Sequence, residues 1–577
     1  MPSRSGSVHV ATTTRAYKGK IYHSHLLRRT FRVGTQVKHE TLGNISHLPP
    51  DLIDLIRRSL AGERFLPAAS AFRIERSQPH GHVQAVLASI RRLGLDSLLA
   101  SKPCSERNLV LAMIAERLLH PCSKLATTRL WHSTTLAQQL GVASATEDDL
   151  YRAMDWLLAR QPQIEKKLAR RHLSAGALVL YDVSSSYYEG HHCPLARLGH
   201  NRDNKQGLPI IVYGLLTDSE GRPVAIDVYP GNTGDPTTVP DQVDKLRKRF
   251  ALSRVVLVGD RGMLTQAQIR KLKQHPGLGW ISALRGPAIR ELVDASSLQL
   301  SLFDETNLAE IASPEYPGER LVACFNPLLA EERRRKRREL IEATEKDLAK
   351  IAAQVKRRTR TPLRETEIAL KVGKISNRYK MAKHFSLSIA DGTFSWARKE
   401  DSIRRESELD GVYVVRTSEP ESRCSAADTV RRYKSLAQVE RAFRTLKGID
   451  LRIRPIHHRT EDHVRAHILL CMLAFYVEWQ MRRDLAPLLF DDEELSQTRQ
   501  HRDPVAPAEC SASAKAKKVD RVTNDGFPVH SFDTLLQELS TRCSNTCRIP
   551  ADPSGSTFEQ LTELTPLQAR AFQLLGL

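Results

Sequence analysis

Two aspartates, Asp182 and Asp260, each close a short apolar run, ALVLYD and RVVLVGD. Runs of this length and composition read as buried strands, and neither has a reason of its own to stop at an acid. Breaking a phosphodiester without a protein nucleophile needs an activated water and a neutralised leaving oxygen, which two divalent cations roughly 3.5–4 Å apart can supply. Mg²⁺ takes oxygen ligands and keeps several waters, so a few convergent carboxylates suffice, and Mn²⁺ fits the same donors. Two acids at the ends of adjacent core strands, with a third from a helix crossing the sheet, give that arrangement. Either aspartate alone also fits an ordinary strand end or turn. Asp203, Asp227 and Asp235 are rivals: Asp227 lies inside an alternating strand, the other two in polar loops.

A third acid emerges from a helical wheel over residues 428 to 447, read as one helix. At about 100° per residue, Leu436, Val439, Phe443 and Leu446 form an apolar stripe, while Tyr433, Glu440, Arg444 and Lys447 form a second stripe along its flank. Glu440 then sits at the margin of the buried face, between a phenol and two cations. Such a margin is also where solvent-facing salt bridges collect, so the wheel alone leaves both readings open.

The elements that must position these residues follow from the patterning. Residues 1–75 are a basic region with short alternating stretches such as Thr30-Phe31-Arg32-Val33. Residues 76–173 read as a helical domain suited to DNA binding or to an ordinary bundle, with a break at Gly94 and a helix start at Thr146 before EDDLYRAMDWLLARQ. From 174 to 284 the order is three strands, helix, strand, helix, strand, a mixed α/β pattern with a parallel crossover. Residues 285–405 interrupt it with a long charged helix, whose RRRKRR run reads as a solvated face, and a β stretch, FSLSI and TFSWARK around Asp391-Gly392. GVYVVRT resumes the strand character in 406–485, which ends in a strongly apolar helix. Residues 486–577 read as a linker containing SASAKAKK and a small helical tail.

The whole chain has 577 residues, long enough for several cores. Its 87 Lys and Arg against 66 Asp and Glu leave a formal net charge of +21, spread along the chain, which points to an extended polyanion, with a membrane surface or ribosome as the plainer alternative. Nine cysteines without regular spacing argue for reduced thiols, including Cys543 and Cys547. No apolar run resembles a signal peptide, and Ile468 to Val477 is too short to span a bilayer. These features favour a soluble, cytoplasmic protein that associates with the nucleoid when bound to DNA, with no membrane partner.

Taken in order, the phrases YDVSSSYYEG, LGHNRDNK, YGLLTDSEGRP, GNTGDPTTV, VGDRGM, LDGVYVVRT and RPIHHRTEDHVRAHILLCMLAFYV resemble the DDE transposases of the insertion-sequence-four superfamily, and within it the insertion-sequence-1634 group. That superfamily carries, on its last catalytic helix, Tyr, two residues, Arg, three residues, Glu, six residues, Lys. Tyr433, Glu440 and Lys447 match in register; Leu436 stands in the Arg slot, with Arg432 and Arg444 as candidate replacements.

The resemblance implies a ribonuclease-H-like mixed sheet split by a large insertion, which fits the long interval between Asp260 and Glu440. It implies that Asp182, Asp260 and Glu440 are the catalytic residues and hold two Mg²⁺ ions, with Mn²⁺ also suitable. Tyr433, Lys447 and Arg444 are implied to contact DNA near the cleaved end, and Trp396 is the candidate to stack a flipped base. The implied activity is endonucleolytic cleavage and strand transfer in DNA transposition. The implied partners are double-stranded DNA, both the terminal inverted repeats and the target, and a second copy of the chain in a homodimer. A ribonuclease-H-like nuclease that only cuts, and a transposase-derived DNA-binding protein without catalysis, remain the alternatives.

Overall fold

In a computed structural model of the chain, residues 6–63, 65, 72–203, 205–550 and 555–577 are described. The first five residues of the basic region, part of its end, and Asn204 of LGHNRDNK lie outside them. The chain divides into two compact units, Met1–Ser77 with Ser544–Thr562, and Gln78–Cys543 with Glu563–Leu577.

The first unit holds an antiparallel meander, β1 (Ser7–Tyr17), β2 (Lys20–Val33) and β3 (Gln36–Asn44), followed by helix α1 (Pro50–Leu60). Tyr17 pairs with Lys20 across Lys18 and Gly19, both at positive φ, the two-residue turn whose twist matches that of the strands. The alternating Thr30–Val33 stretch is the end of β2. A second small sheet joins β4 (Arg73–Pro79) to β15 (Cys543–Arg548) and β16 (Thr557–Leu561).

The second unit opens with helices α2 (Gly81–Arg92), α3 (Leu95–Leu99), α4 (Ser105–Leu119), α5 (Lys124–Leu130), α6 (Leu136–Leu140) and α7 (Glu147–His172). Gly94 does break the pattern, at φ +59°. Thr146 caps α7 in a reciprocal capping box with Asp149, which satisfies first-turn amides that have no partner inside the helix. These helices form no separate module: Val110, Leu157 and Leu168 share one continuous core with the sheet that follows.

That sheet has eight strands: β5 (Ala177–Tyr187), β6 (Ile210–Thr217), β7 (Pro223–Pro230), β8 (Val255–Gly259), β9 (Leu278–Ala283), β10 (Leu308–Ile311), β11 (Arg320–Phe325) and β14 (Val412–Thr417), in the order β10-β11-β14-β9-β8-β5-β6-β7. Strands β7, β6 and β5 are antiparallel neighbours, whereas β5–β8 and β8–β9 are parallel, joined through α8 (Val239–Asp244) and α9 (Gln266–Leu272). Strands β10 and β11 extend this sheet at one edge after α10 (Gly286–Asp294), so the interruption expected from residue 285 leaves the sheet only after Phe325.

Beyond it, α11 (Pro327–Arg357), α12 (Glu365–Tyr379), the hairpin β12 (Phe385–Ala390) and β13 (Thr393–Arg398), and α13 (Glu400–Ser407) surround a satellite core of Ile341, Leu348, Ile368 and Phe385. The RRRKRR run is not wholly solvated: Arg337 is buried and forks onto Asp410.

After β14, the single helix expected over 428–447 is two, α14 (Ala426–Lys434) and α15 (Ala437–Lys447), separated by a turn at Ser435 and Leu436. The Ser435 hydroxyl donates to the Arg432 carbonyl at 2.5 Å, a local bond that competes with continuous helix. Helix α16 (Glu461–Asp484) then runs through the core with Ile468 to Tyr476 buried; among the described residues no helix is long and apolar enough to cross a membrane. The tail holds α17 (Leu495–His501), α18 (Ala512–Asp520), α19 (Phe532–Ser540) and α20 (Pro566–Leu574) besides β15 and β16. SASAKAKK is therefore no linker. It lies in the segment that forms α18, capped by Ser511, and buried Lys517 donates to the Ala486 and Asp491 carbonyls and to Glu493.

Tyr181 on β5 crosses Gly214 on β6 and donates to Thr238 Oγ1 at 2.8 Å. A Cβ at Gly214 would meet the Tyr181 hydroxyl at 2.3 Å and its ring at 2.8 Å. Gly214→Ala is therefore expected to destabilise by about 1–3 kcal/mol, read as a lowered melting temperature. Gly286→Ala, where a Cβ meets nothing within 4 Å, should leave melting unchanged or raise it; equal effects would contradict this packing.

Candidate active site

The parallel pairing of β5 and β8 sets the site. Its last pair is Tyr181 with Gly259, so Asp182 and Asp260 are the next residues on two strands about 4.8 Å apart. Asp182 does not end its strand, as the apolar run suggested. Strand β5 continues to Tyr187 against β6, Asp182 lying opposite Leu215. What ends at this level is β8, and its absence leaves an open notch. At Asp260 the chain turns: the backbone amides of Met263 and Leu264 donate to the Asp260 carbonyl, and that of Gly262 to its Oδ2 at 3.2 Å.

Helix α15 brings Glu440. It packs on β5 and β6 through buried Val439, Phe443 and Leu446, with Phe443 edge-on to Tyr213 at 5.8 Å. Leu436, half-buried, packs at the margin of this core. Glu440 itself is exposed. Tyr433, from the end of α14, completes the group.

These side chains lie within reach of one another's charge. Burial raises the Asp182 carboxyl to about 7; the Val183 amide opposes this, while the charges of Asp260 and Glu440 add to it. The Tyr433 phenol is likewise raised, first by burial and then by Asp260, Glu440 and Asp182. The charges of Asp260 and Glu440 thus act against ionisation of Asp182 in one notch, and none of the three carboxylates is ion-paired among the described residues. Like-charged groups held together without a cation are stable only partly protonated or with a cation supplied. The donors are all oxygen, which suits Mg²⁺ or Mn²⁺. Among the described residues no three His, Cys, Asp or Glu side chains converge tightly enough to hold one ion. Pairs drawn from Asp182, Asp260 and Glu440 could hold an ion, since one or two carboxylates per ion are enough for Mg²⁺.

The other expected residues are placed differently. Lys447 is turned to Asp203, Nζ to Oδ1 at 3.1 Å, and is not open to solvent. Arg444 is exposed and has no ion-pair or side-chain hydrogen-bond partner among the described residues. Trp396 lies in the hairpin, half-buried against the satellite core and edge-on to Phe385 at 5.9 Å. Of the rival acids, Asp227 pairs with Lys245 at 2.7 Å and Asp235 with Arg202 at 2.6 Å. Asp203, with a side chain only 1% exposed, accepts from Lys447, Arg454 and the Tyr187 amide. Sequence reasoning missed this hub and Arg202, whose charge reaches Asp182; their one sequence signal is the quoted loop LGHNRDNK.

Residues 195–477 match the family model of the transposase DDE domain. The match covers just under half of the chain. It takes in Asp260, Tyr433 and Glu440 and begins after Asp182. It supports a DDE transposase, a family that generally uses divalent metal ions. No curated protein matches the chain. Among solved structures, the chain is similar to one described as a cryo-EM structure of the piggyBac transposase synaptic complex with hairpin DNA, at 11% identity over 77% of this chain and 85% of that one, with a TM-score of 0.25.

Two expectations follow. Asp182 has a folded pKa of about 7 against an ordinary 3.8, so its ionisation opposes folding. The penalty is absent below pH 3.8, grows between 3.8 and 7, and is constant above. After allowance for solvent screening it is on the order of 1–2 kcal/mol. Asp182→Asn should therefore melt above the parent at pH 8 in metal-free buffer, the difference shrinking toward pH 4; a difference independent of pH would contradict the burial. Asp203→Ala strands Lys447 beside Arg454 and should cost about 3–5 kcal/mol, whereas Glu440→Gln should stay within about 0.5 kcal/mol. Comparable melting of the two variants would remove the structural role given to Asp203.

Proposed function

We propose that this chain is a DDE transposase that binds the ends of an insertion sequence and catalyses metal-dependent DNA cleavage and strand transfer. The observation that carries the reading is the β5–β8 register that sets Asp182 and Asp260 side by side, with the charge of Glu440 acting on Asp182, next to and within a segment similar to a transposase DDE domain. The strand order β7-β6-β5-β8-β9, antiparallel and then parallel, favours a ribonuclease-H-like core. The ordered phrases around these strands favour the insertion-sequence-1634 group.

Asp182 with Asp260, and Asp182 with Glu440, would hold two Mg²⁺ ions, or Mn²⁺. Such ions, when bound, activate water and neutralise charge on the phosphoryl and leaving oxygens. The protein's own part is positioning and electrostatics. The Tyr433 phenol, held neutral, would donate to a phosphate oxygen beside the carboxylates, and Arg444 would hold the backbone nearby. Lys447 would reach a phosphate only by exchanging Asp203 for it. Trp396 would stack a flipped base only after leaving Phe385, and Trp396→Ala is expected to change the release intermediates. Helices α2–α7 and the basic surface would engage the terminal inverted repeats and target DNA, with the chain acting as a homodimer in the cytoplasm.

The test is a duplex carrying the element's ends, incubated with Mg²⁺ and parent protein or Asp182→Asn, Asp260→Asn or Glu440→Gln. Cleavage and strand-transfer products by the parent, lost to background in all three variants with DNA binding retained, are expected. Cleavage without joined products would instead indicate a nuclease; binding by a parent that never cuts would indicate a DNA-binding relative without catalysis.

A further inference from the structure

Away from the carboxylates, a cavity of about 680 Å³ opens where α4, α5 and the start of α7 meet the chain between α15 and α16. Lys124 lines it at 5% exposure. Its ammonium has no carboxylate or hydrogen-bond partner among the described residues, although a lysine this buried ordinarily has one. Arg452 and Arg459 line the same cavity, are exposed, and have no ion-pair partner either. Arg117 adds a fourth guanidinium or ammonium group, bonded among the described residues to the Cys122 carbonyl at 3.4 Å. Arg454, also in the lining, is committed to Asp203. Among the described residues, the one carboxylate of the lining is Glu147.

The backbone supports the same reading. Arg452 holds φ +44°, a left-handed conformation that costs of order 1–3 kcal/mol in a residue other than glycine and tends to persist where function requires it. Burial and the charge of Arg117 lower the Lys124 ammonium to about 7; an anion in the cavity would reverse that penalty. Several cations held apart from carboxylates, in a concave and partly desolvated site, suit a compact polyoxyanion. An ammonium and guanidinium forks together match the several acceptor oxygens of phosphate better than the two of a carboxylate.

We propose that this cavity is a binding site for a phosphate group, gripped by Lys124, Arg452 and Arg459 and separate from the carboxylate notch. The phosphate belongs either to a nucleic-acid backbone or to a small molecule. Neither source depends on the carboxylates holding metal, so the site can be tested without cleavage.

The experiment titrates inorganic phosphate into the full-length protein by calorimetry, at low ionic strength and without divalent metal, for parent, Lys124→Met and Arg452→Gln. Saturable one-to-one binding by the parent, at least tenfold weaker in both variants with parent-like melting, is expected. Arg452 is exposed, so its variant keeps the test valid should Lys124→Met fold poorly. A second arm follows a short fluorescent duplex by anisotropy. Duplex binding weakened by the variants and competed by phosphate assigns the site to a DNA backbone; unchanged duplex binding assigns it to a small phosphate ligand. Phosphate that binds parent and variants alike, or binds none of them, overturns the proposal.

Discussion

Everything placed at the candidate site depends on the register between two parallel strands. Pairing Tyr181 with Gly259 makes Asp182 and Asp260 neighbours at the level where β8 stops and β5 continues. A slip of one residue would turn Asp182 to the other face of the sheet. That register is held by the uninterrupted burial of Val255 to Gly259 and by a tight landing at the end of β8, where a Cβ on Gly259 would meet Leu264 Cγ at 2.9 Å. The opposite face of β5 is locked by Tyr181 lying over Gly214. Packing strong enough to fix strand position is what allows like charges to be held beside one another.

The charges around the notch serve two different ends. Burial and the charges of Asp260 and Glu440 oppose ionisation of Asp182, and the field of Arg202 offsets this only in part, so the folded state carries a penalty that a bound divalent cation would relieve. Asp203 does the opposite. Buried and satisfied by Lys447, Arg454 and the Tyr187 amide, it ties α15 and the chain beyond it to the end of β5. Lys447 and Glu440 share a helix and flank, yet one closes a structural ion pair while the other has no ion-pair partner among the described residues. Arg202 lies between the two systems, bonded to Asp235 while its field reaches Asp182.

Much of this was legible in the sequence where one physical signal dominated. ALVLYD and RVVLVGD read as strands because buried parallel strands are continuously apolar, and the stripe of Val439, Phe443 and Leu446 announced the buried face of α15. Local chemistry hid the rest. Apolarity ends at Asp182 but backbone pairing does not, because Ser184, Ser185 and Ser186 go on bonding to β6. Ser435 breaks what the wheel treated as one helix. The short strands β10 and β11 rest on a few apolar residues that look like part of an insertion, and buried Lys517 made α18 resemble a linker. The role of Asp203 depends on partners more than 200 positions away, which no local pattern can carry.

The central claim is that the notch holds divalent cations through Asp182, Asp260 and Glu440. Mn²⁺ binding to the full-length protein, counted by electron paramagnetic resonance of the free ion at pH 8, tests it most directly. The account predicts saturable binding by the parent that is weakened in Asp182→Asn, the shared ligand, more than in Asp260→Asn or Glu440→Gln. Binding that is absent from the parent, or unchanged in all three variants, would contradict it.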